Sequence, residues 1–375
     1  MIYLDNAATT PLSGDVLAVY NQYAQEKFFN PSAIYNKGVE VSADIASAKQ
    51  TIAKALGVKQ NSNIIFTSSA TEANNLAVFG SIKSNFRKLV FSSADHPSIK
   101  NVALELKNRG MKVEYVPLQE NGEIDYFALE NILDEQTDFI SIIHVSNETG
   151  AINDLKKIYE IKKQKCPKAI FHVDGVQAFS KIKVNLDYFG VDLYTISGHK
   201  MFAPKGVAAL YVRDNVHLKA IMFGGGQEHG IRSGTENVPA IMAFKKAVEI
   251  IGDINDNYQK ILKIKKVFLD SLGSSNFKLN SGDNCSPYIV SLSFEGVKGE
   301  TLLHMLEKQE IYISTGSACS SKKVGNSVLE AMSIEKEKII GSVRISFSKN
   351  TTLEEAKTAG ETLKNCYIEL KEKLR

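Results

Sequence analysis

The chain of 375 residues has little of what would assign it to a specialised class. Its four cysteines, Cys166, Cys285, Cys319 and Cys366, are scattered, with no Cys-x-x-Cys pair. That spacing speaks against a structural zinc site or any other metal site, and against a disulfide framework. A reducing cytoplasm is the compartment it leads us to expect. Charge of one sign is also missing: 45 Lys and Arg against 42 Asp and Glu leave a net charge of +3. Nothing in that balance calls for direct nucleic-acid binding or an anionic membrane. No apolar run reaches the roughly 18 residues of a membrane span, so no transmembrane helix is expected. The opening Met1-Ile2-Tyr3-Leu4-Asp5-Asn6 has neither a basic stretch nor an apolar core, so no signal peptide is expected. Internal repeats and low-complexity tracts are absent.

What remains is an ordinary globular composition, 43% hydrophobic and 23% charged, on a chain long enough for two domains. From about residue 63 to 212, short apolar runs alternate with helical patterns. Asn63–Thr67, Lys88–Ser92, Lys112–Val116, Phe139–Val145, Ala169–Val173, Leu193–Ile196 and Val207–Val212 read as strands. His96-Pro97 opens a helix, with proline in the first turn. Strands separated by helices predict βαβ units and a mostly parallel sheet covered by helices. After Gly252 the character changes. Asp256–Leu272 carries an apolar helical stripe; Tyr288–Phe294, Ile311–Ser314 and Ser342–Phe347 read as strands, and Leu353–Leu374 as a closing helix. We therefore expect an α/β fold with a large domain over 13–252. A smaller α+β domain is expected over 253–375, joined by residues 1–12.

In a parallel sheet, ligands bind beyond the carboxyl ends of the strands. Asn147, Asp174 and Lys200 each follow a predicted strand. Ser68-Ser69-Ala70-Thr71-Glu72 joins a strand to a helix N-terminus, a ready anion site. Lys200, in Ser197-Gly198-His199-Lys200, is by default a solvated surface lysine, and Asp174 a strand-end cap. Together, at neighbouring strand ends, they match what pyridoxal phosphate (PLP) chemistry requires. The lysine forms a Schiff base and the aspartate keeps the pyridine nitrogen protonated. Ser197 and His199 can donate to a phosphate. Gln177 reads either as a donor to the cofactor's phenolic oxygen or as a surface residue at a helix start. His96 is either structural or placed to stack on the pyridine ring and shuttle protons. Phe223-Gly224-Gly225-Gly226-Gln227 through Arg232-Ser233-Gly234-Thr235 is a phosphate cradle or a flexible surface loop.

Two further residues narrow the chemistry. Arg344, a charge inside a strand-like run, reads as the exposed side of a half-buried strand or as a fork for a substrate carboxylate. Cys319 sits among small polar residues with Lys322 and Lys323 close by, a setting for a reactive thiolate rather than a core thiol.

In order along the chain, these segments resemble the cysteine desulfurases of the nitrogen-fixation and iron–sulfur-cluster type, in the class V aminotransferase branch of the PLP fold type I enzymes. The resemblance runs nearly end to end. It starts with Tyr3-Leu4-Asp5-Asn6-Ala7-Ala8-Thr9-Thr10-Pro11 and Asn30-Pro31-Ser32, and continues through Thr67–Asn75 and His144–Glu148. It ends with Ser317-Ala318-Cys319 and Arg344. The resemblance implies Lys200 as the Schiff-base lysine, Asp174 on the pyridine nitrogen, His96 stacked on the ring and Gln177 on the phenolic oxygen. It implies phosphate contacts from Ala70, Thr71, Ser197 and His199, with Thr235 donated by a partner subunit, hence a homodimer with shared sites. Asn147 and Arg344 would hold the carboxylate of L-cysteine, and Cys319 would take its sulfur as a persulfide, leaving alanine. The sulfur acceptor would be a scaffold protein or a tRNA thiolation enzyme. A selenocysteine lyase, another class V aminotransferase and an inactive subunit that only docks partners are the competing readings.

Overall fold

Residues 1–58, 64–273, 276–315 and 328–374 are described by the computed structural model. Twelve strands are found among them: β1 (Ile2–Tyr3), β2 (Ile64–Thr67), β3 (Lys88–Ser92), β4 (Lys112–Val116), β5 (Thr137–Ile143), β6 (Ile170–Asp174), β7 (Leu193–Ser197), β8 (Ala208–Val212), β9 (Phe277–Leu279), β10 (Ile289–Phe294), β11 (Ile311–Tyr312) and β12 (Ser342–Ser346). β2 to β8 form one seven-stranded sheet in the order β2-β8-β7-β6-β5-β3-β4. β4, β3, β5, β6 and β7 run parallel, and only β8 runs against its neighbours. The mostly parallel α/β expectation therefore holds.

The exception has a local cause. Gly198–Val207, between β7 and β8, is too short for a crossover helix, so the chain turns back beside β7. This reversal matters for the site. Ala208 of β8 lies opposite both Thr67 of β2 and Ser197 of β7, so the carboxyl ends of β2 and β7 share one edge. The turn after β2 is thereby delivered beside Asp174 and Lys200. Inner strands such as β5 are buried on both faces, as covered parallel strands are.

Helices follow the strands as the sequence predicts. Ala70–Ser81 is capped by Ser69, whose hydroxyl accepts the Glu72 N–H. Pro97–Asn108 begins with its proline, and His96 is its cap. The second sheet has the antiparallel order β12-β10-β9; its strand β9 was not anticipated. The predicted strand Ile311–Ser314 shortens to β11, which pairs in parallel with β1 and leaves Ser314 as a single bridge to Arg344.

One apolar core fills one face of the large sheet with residues such as Phe171, Ile142 and Phe244, and another covers the opposite face with Leu76, Phe91 and Leu210. A third gathers Leu4 and Ala7 with Phe268, Leu292, Ile345 and Phe347. A smaller cluster joins Ala94 and Ile143 to Val328, Leu329 and Met332. Among the described residues no helix is long and apolar enough to cross a membrane.

Candidate active site

A cavity of about 420 Å³ opens at the carboxyl edge of the large sheet, within the range of small-ligand pockets. Of the residues singled out from the sequence, Ala70, Thr71, His96, Asn147, Asp174, Gln177, His199, Lys200 and Arg344 line it. Ser197 lies just beneath, at the end of β7, buried and with no partner for its hydroxyl. Thr235 is exposed and does not line the cavity of its own chain. Cys319 lies outside the described residues.

Asp174 is the last residue of β6, and both of its oxygens are engaged from behind. Oδ1 accepts the Val176 N–H at 3.0 Å and Oδ2 accepts an N–H of Asn74 at 3.0 Å. Gly175 has to be glycine, because a Cβ there would stand 2.0 Å from the ring of Tyr194. Tyr194 is in turn fixed by His144, whose Nδ1 lies 2.9 Å from its hydroxyl. Burial drives the His144 pKa down to about 3, so the ring is neutral. A second carboxyl, Asp95, sits buried nearby. Burial first, and the Asp174 charge second, push its pKa well up.

The opposite wall is cationic. Lys200 Nζ donates to the Ala7 carbonyl at 2.6 Å and also to that of Ala8. Burial and then the Arg344 charge bring its pKa down to about 8, against the pull of Asp5 and Asp174. Arg344 donates to the Asn147 carbonyl at 2.9 Å and to Asp5 at 2.8 Å, while its buried Nε–H has no partner. The exposed-strand reading of Arg344 is therefore wrong: β12 is buried along its whole length, and Asp5 from the N-terminal segment offsets the buried charge. Lys181 donates to Gln177 Oε1 at 2.6 Å, and Gln177 Nε2 donates to the Ala7 carbonyl at 2.8 Å. Burial, Lys200 and Arg344 lower the Lys181 pKa to about 7. His199 is likewise held down to about 4 by burial and then by Lys200, Lys205 and Lys181, so it is neutral.

The Gly-rich loop is not a phosphate cradle for its own chain. Arg232 turns to Glu72, Nε to Oε1 at 2.7 Å, and Glu228 pairs with Lys49. Both pairs latch the loop to the helices behind it, and none of its residues lines the cavity.

Sequence reading missed Asn74, Ser98, Asp5, Lys181 and Asp95. Asn74 did leave a signal, an amide among Ala73, Leu76 and Ala77 on the buried face of its helix. Lys181 left none.

The donor set fits PLP. Ser197 Oγ is an orphaned buried hydroxyl, and the first N–H groups of the Ala70–Ser81 helix have no acceptor within that helix, so both can serve a phosphate. Asp174 can serve a pyridinium N–H, and Lys200 an aldehyde. Fold and site together define a PLP enzyme of fold type I.

A family model, aminotransferase class-V, matches residues 2–358. Cysteine desulfurase IscS of Dictyoglomus turgidum is 36% identical over 362 residues, covering 94% of this chain and 91% of that protein. A NifS/IcsS protein homolog of Lactobacillus delbrueckii subsp. bulgaricus is 38% identical, covering 95% and 94%. Among solved structures, a NIFS-like protein superposes with a TM-score of 0.92 at 31% identity, covering 99% of each chain. The chain belongs to the class V aminotransferase family, as one of its PLP-dependent cysteine desulfurases.

Proposed function

We propose that the cavity residues carry the removal of sulfur from L-cysteine in the following way. The observation behind this reading is that Lys200, Asp174 and Arg344 line one cavity at the carboxyl edge of the sheet. When bound there, PLP supplies the sink for the electron pair left at the substrate's α-carbon. Asp174 holds a proton at the pyridine nitrogen. Gln177, with its Oε1 taken by Lys181 and one Nε2 proton given to the Ala7 carbonyl, would offer its second Nε2 proton to the phenolic oxygen. Ala70, Thr71, Ser197 and His199 take the phosphate. Lys200 is the amine that meets the cofactor's aldehyde. As a free amine, its Nζ would be the base for the substrate's α-proton, and a pKa near 8 suits both tasks. The unpartnered Nε–H of Arg344 and the side chain of Asn147 hold the substrate carboxylate.

The Cys319 thiolate attacks the substrate sulfur. A sulfur–sulfur bond forms, the carbon–sulfur bond breaks, and the β-carbon gains a proton, giving alanine and a Cys319 persulfide. In support, the described residues on either side of this segment meet the site. Ser314 exchanges backbone hydrogen bonds with Arg344, and the Val328 N–H donates to Glu148 at 3.2 Å.

The chain acts as a homodimer in which Thr235 of each subunit serves the other's cavity. Its exposed position away from its own cavity, on a loop where Phe223 is 85% exposed, supports this. The persulfide passes to an acceptor protein, either a cluster scaffold or a tRNA thiolation enzyme. Cytoplasmic, reducing conditions suit Cys166, Cys285 and Cys366, which are buried and unpaired. Incubating the PLP-loaded protein with cysteine should give alanine and sulfide, with extra sulfur mapped to Cys319 by mass. Cys319→Ser should keep the bound-cofactor absorbance and release no sulfide; alanine formed without a modified Cys319 overturns the persulfide role.

A further inference from the structure

His96 and Asp174 lie on different elements, yet a continuous chain of hydrogen bonds, buried at its Asn74 and Asp174 end, joins them. The backbone N–H of Ser98 donates to His96 Nδ1 at 3.2 Å. A backbone N–H can only donate, so Nδ1 carries its lone pair there. The Ser98 hydroxyl lies 2.9 Å from the same nitrogen. That hydroxyl accepts an N–H of Asn74 at 2.8 Å, which leaves its own proton to point at Nδ1. The second N–H of Asn74 goes to Asp174 Oδ2 at 3.0 Å. Asn74 cannot turn over, since its oxygen would then face a carboxylate oxygen. That oxygen is left buried without a partner, and the residue is 0% exposed. Each proton in the chain therefore has one direction.

We infer that Ser98 and Asn74 are positioning residues that tie Asp174 to His96 and lock His96 as the neutral ring with its proton on Nε2. His96 then presents a hydrogen-bond donor to the cavity rather than a base, contrary to the proton-shuttle expectation. Taking up a proton at Nδ1 would set an N–H against the Ser98 N–H and force the hydroxyl to turn. The functional half of this inference rests on the PLP reading above; the state of the ring does not.

Other groups act on His96 as well. Burial disfavours its charged form, Lys200 and Lys100 act in the same direction, and Asp174 acts against them. Asp95, its chain neighbour, is pushed toward its protonated form by burial and by the Asp174 charge.

The test is nitrogen-15 NMR of histidine-labelled protein, without and with PLP, with the His96 signals assigned by their loss in His96→Gln. In the wild type, Nδ1 should be unprotonated and Nε2 protonated at neutral pH. Ser98→Ala removes one donor to Nδ1 but keeps the backbone N–H, so the protonation midpoint of His96 should rise by about half to one pH unit, with the proton of the neutral ring still on Nε2. Asn74→Ala frees the Ser98 hydroxyl to turn and should move the midpoint in the same direction by less. Ser98→Thr, which keeps the hydroxyl, should restore the wild-type signals. In the holoenzyme, the acid limb of the cysteine-turnover profile should follow the same shift, with KM changed less than about threefold, because the hydrogen bonds of Ser98 and Asn74 go to His96, Asp174 and each other, not to Asn147 or Arg344.

A wild-type His96 protonated on Nδ1, or Ser98→Ala signals identical to wild type, overturns the inference. If a truncation does not fold, the wild-type tautomer alone decides it. Failure of PLP to give visible absorbance would instead overturn the proposed function, leaving the tautomer result standing.

Discussion

At the Asp174 wall, polar groups meet partners of opposite character: two N–H donors on the carboxylate, a hydroxyl between amide and imidazole, a phenol on a neutral histidine. At the Arg344 wall, Lys200, Lys181 and Arg344 crowd together. Two of them rest on uncharged carbonyl or amide oxygens, and the third pairs with Asp5 while keeping an unpartnered Nε–H. The first wall is largely satisfied before any ligand arrives, and on the second the Asp5 carboxylate stands against three cationic side chains. A planar ring needs a fixed seat, whereas a carboxylate and a phosphate bring the charge that a cationic wall is missing. Preorganisation on one side and unmet charge on the other divide the work between orientation and binding.

That contrast can be broken from either side. Lys200→Ala removes the amine and base of the cationic wall, and alanine formation from cysteine should fall by at least about 10³-fold. Retention of a tenth of the rate would move the base elsewhere. On the Asp174 wall, Gly175→Ala drives a methyl group into the Tyr194 ring, 2.0 Å away. Overpacking of this kind should cost about 3 kcal/mol in the denaturant midpoint, with Asp174 displaced and PLP affinity lost. A stable variant with normal PLP binding would mean that Tyr194 is not a fixed backing.

Arg344→Gln should raise KM for cysteine by about 10- to 100-fold, the worth of a charge-assisted hydrogen bond, with a smaller change in kcat. The same variant should change the capture of PLP by the apoprotein. Lys200 is protonated below its pKa of about 8 and nucleophilic above it, so capture should accelerate as pH rises through that value. Removing the Arg344 charge should move the midpoint upward, because that charge is the second cause of the depression after burial. A midpoint that stays in place would show that burial alone sets it.

The smallest effect is expected at Asp95. Its folded pKa lies above the unfolded value of about 4, so its contribution to stability is full below that pH and is lost as pH rises. Asp95→Asn mimics the protonated acid. Relative to wild type it should gain stability above about pH 4, as read from thermal midpoints across pH, and should leave cysteine turnover nearly unchanged. Equal pH dependence of the two proteins would show that Asp95 is ionised.

Much of this was legible in the sequence for a physical reason. Lys88–Ser92 and Lys112–Val116 match their strands residue for residue: the first is covered and buried throughout, and the second, at the sheet edge, shows its β-branched and aromatic residues. Asp174 and Lys200 stood at strand ends, and strand ends face one edge in a parallel sheet. Partners were harder to read. Nothing in the sequence says that Asp5 would reach Arg344, that Arg232 would turn to Glu72 and not to a phosphate, or that Lys181 would end on Gln177. The first two contacts close long loops, and local pattern carries no information about loop closure; the third joins residues only four apart, but depends on the burial of both side chains.

The order of residues alone decides which groups are available. Periodicity sets the strands and helices, and the motif residues place an amine, a carboxylate, a hydroxyl and a guanidinium at their ends. Tertiary structure decides the state of those groups. Burial beside Arg344 brings Lys200 toward neutral pH, the backbone of Ser98 chooses the tautomer of His96, and the antiparallel return of β8 sets the turn after β2 on the same edge as Asp174. Charge and proton position depend on neighbours within a few ångströms, and most of these neighbours are distant in the chain.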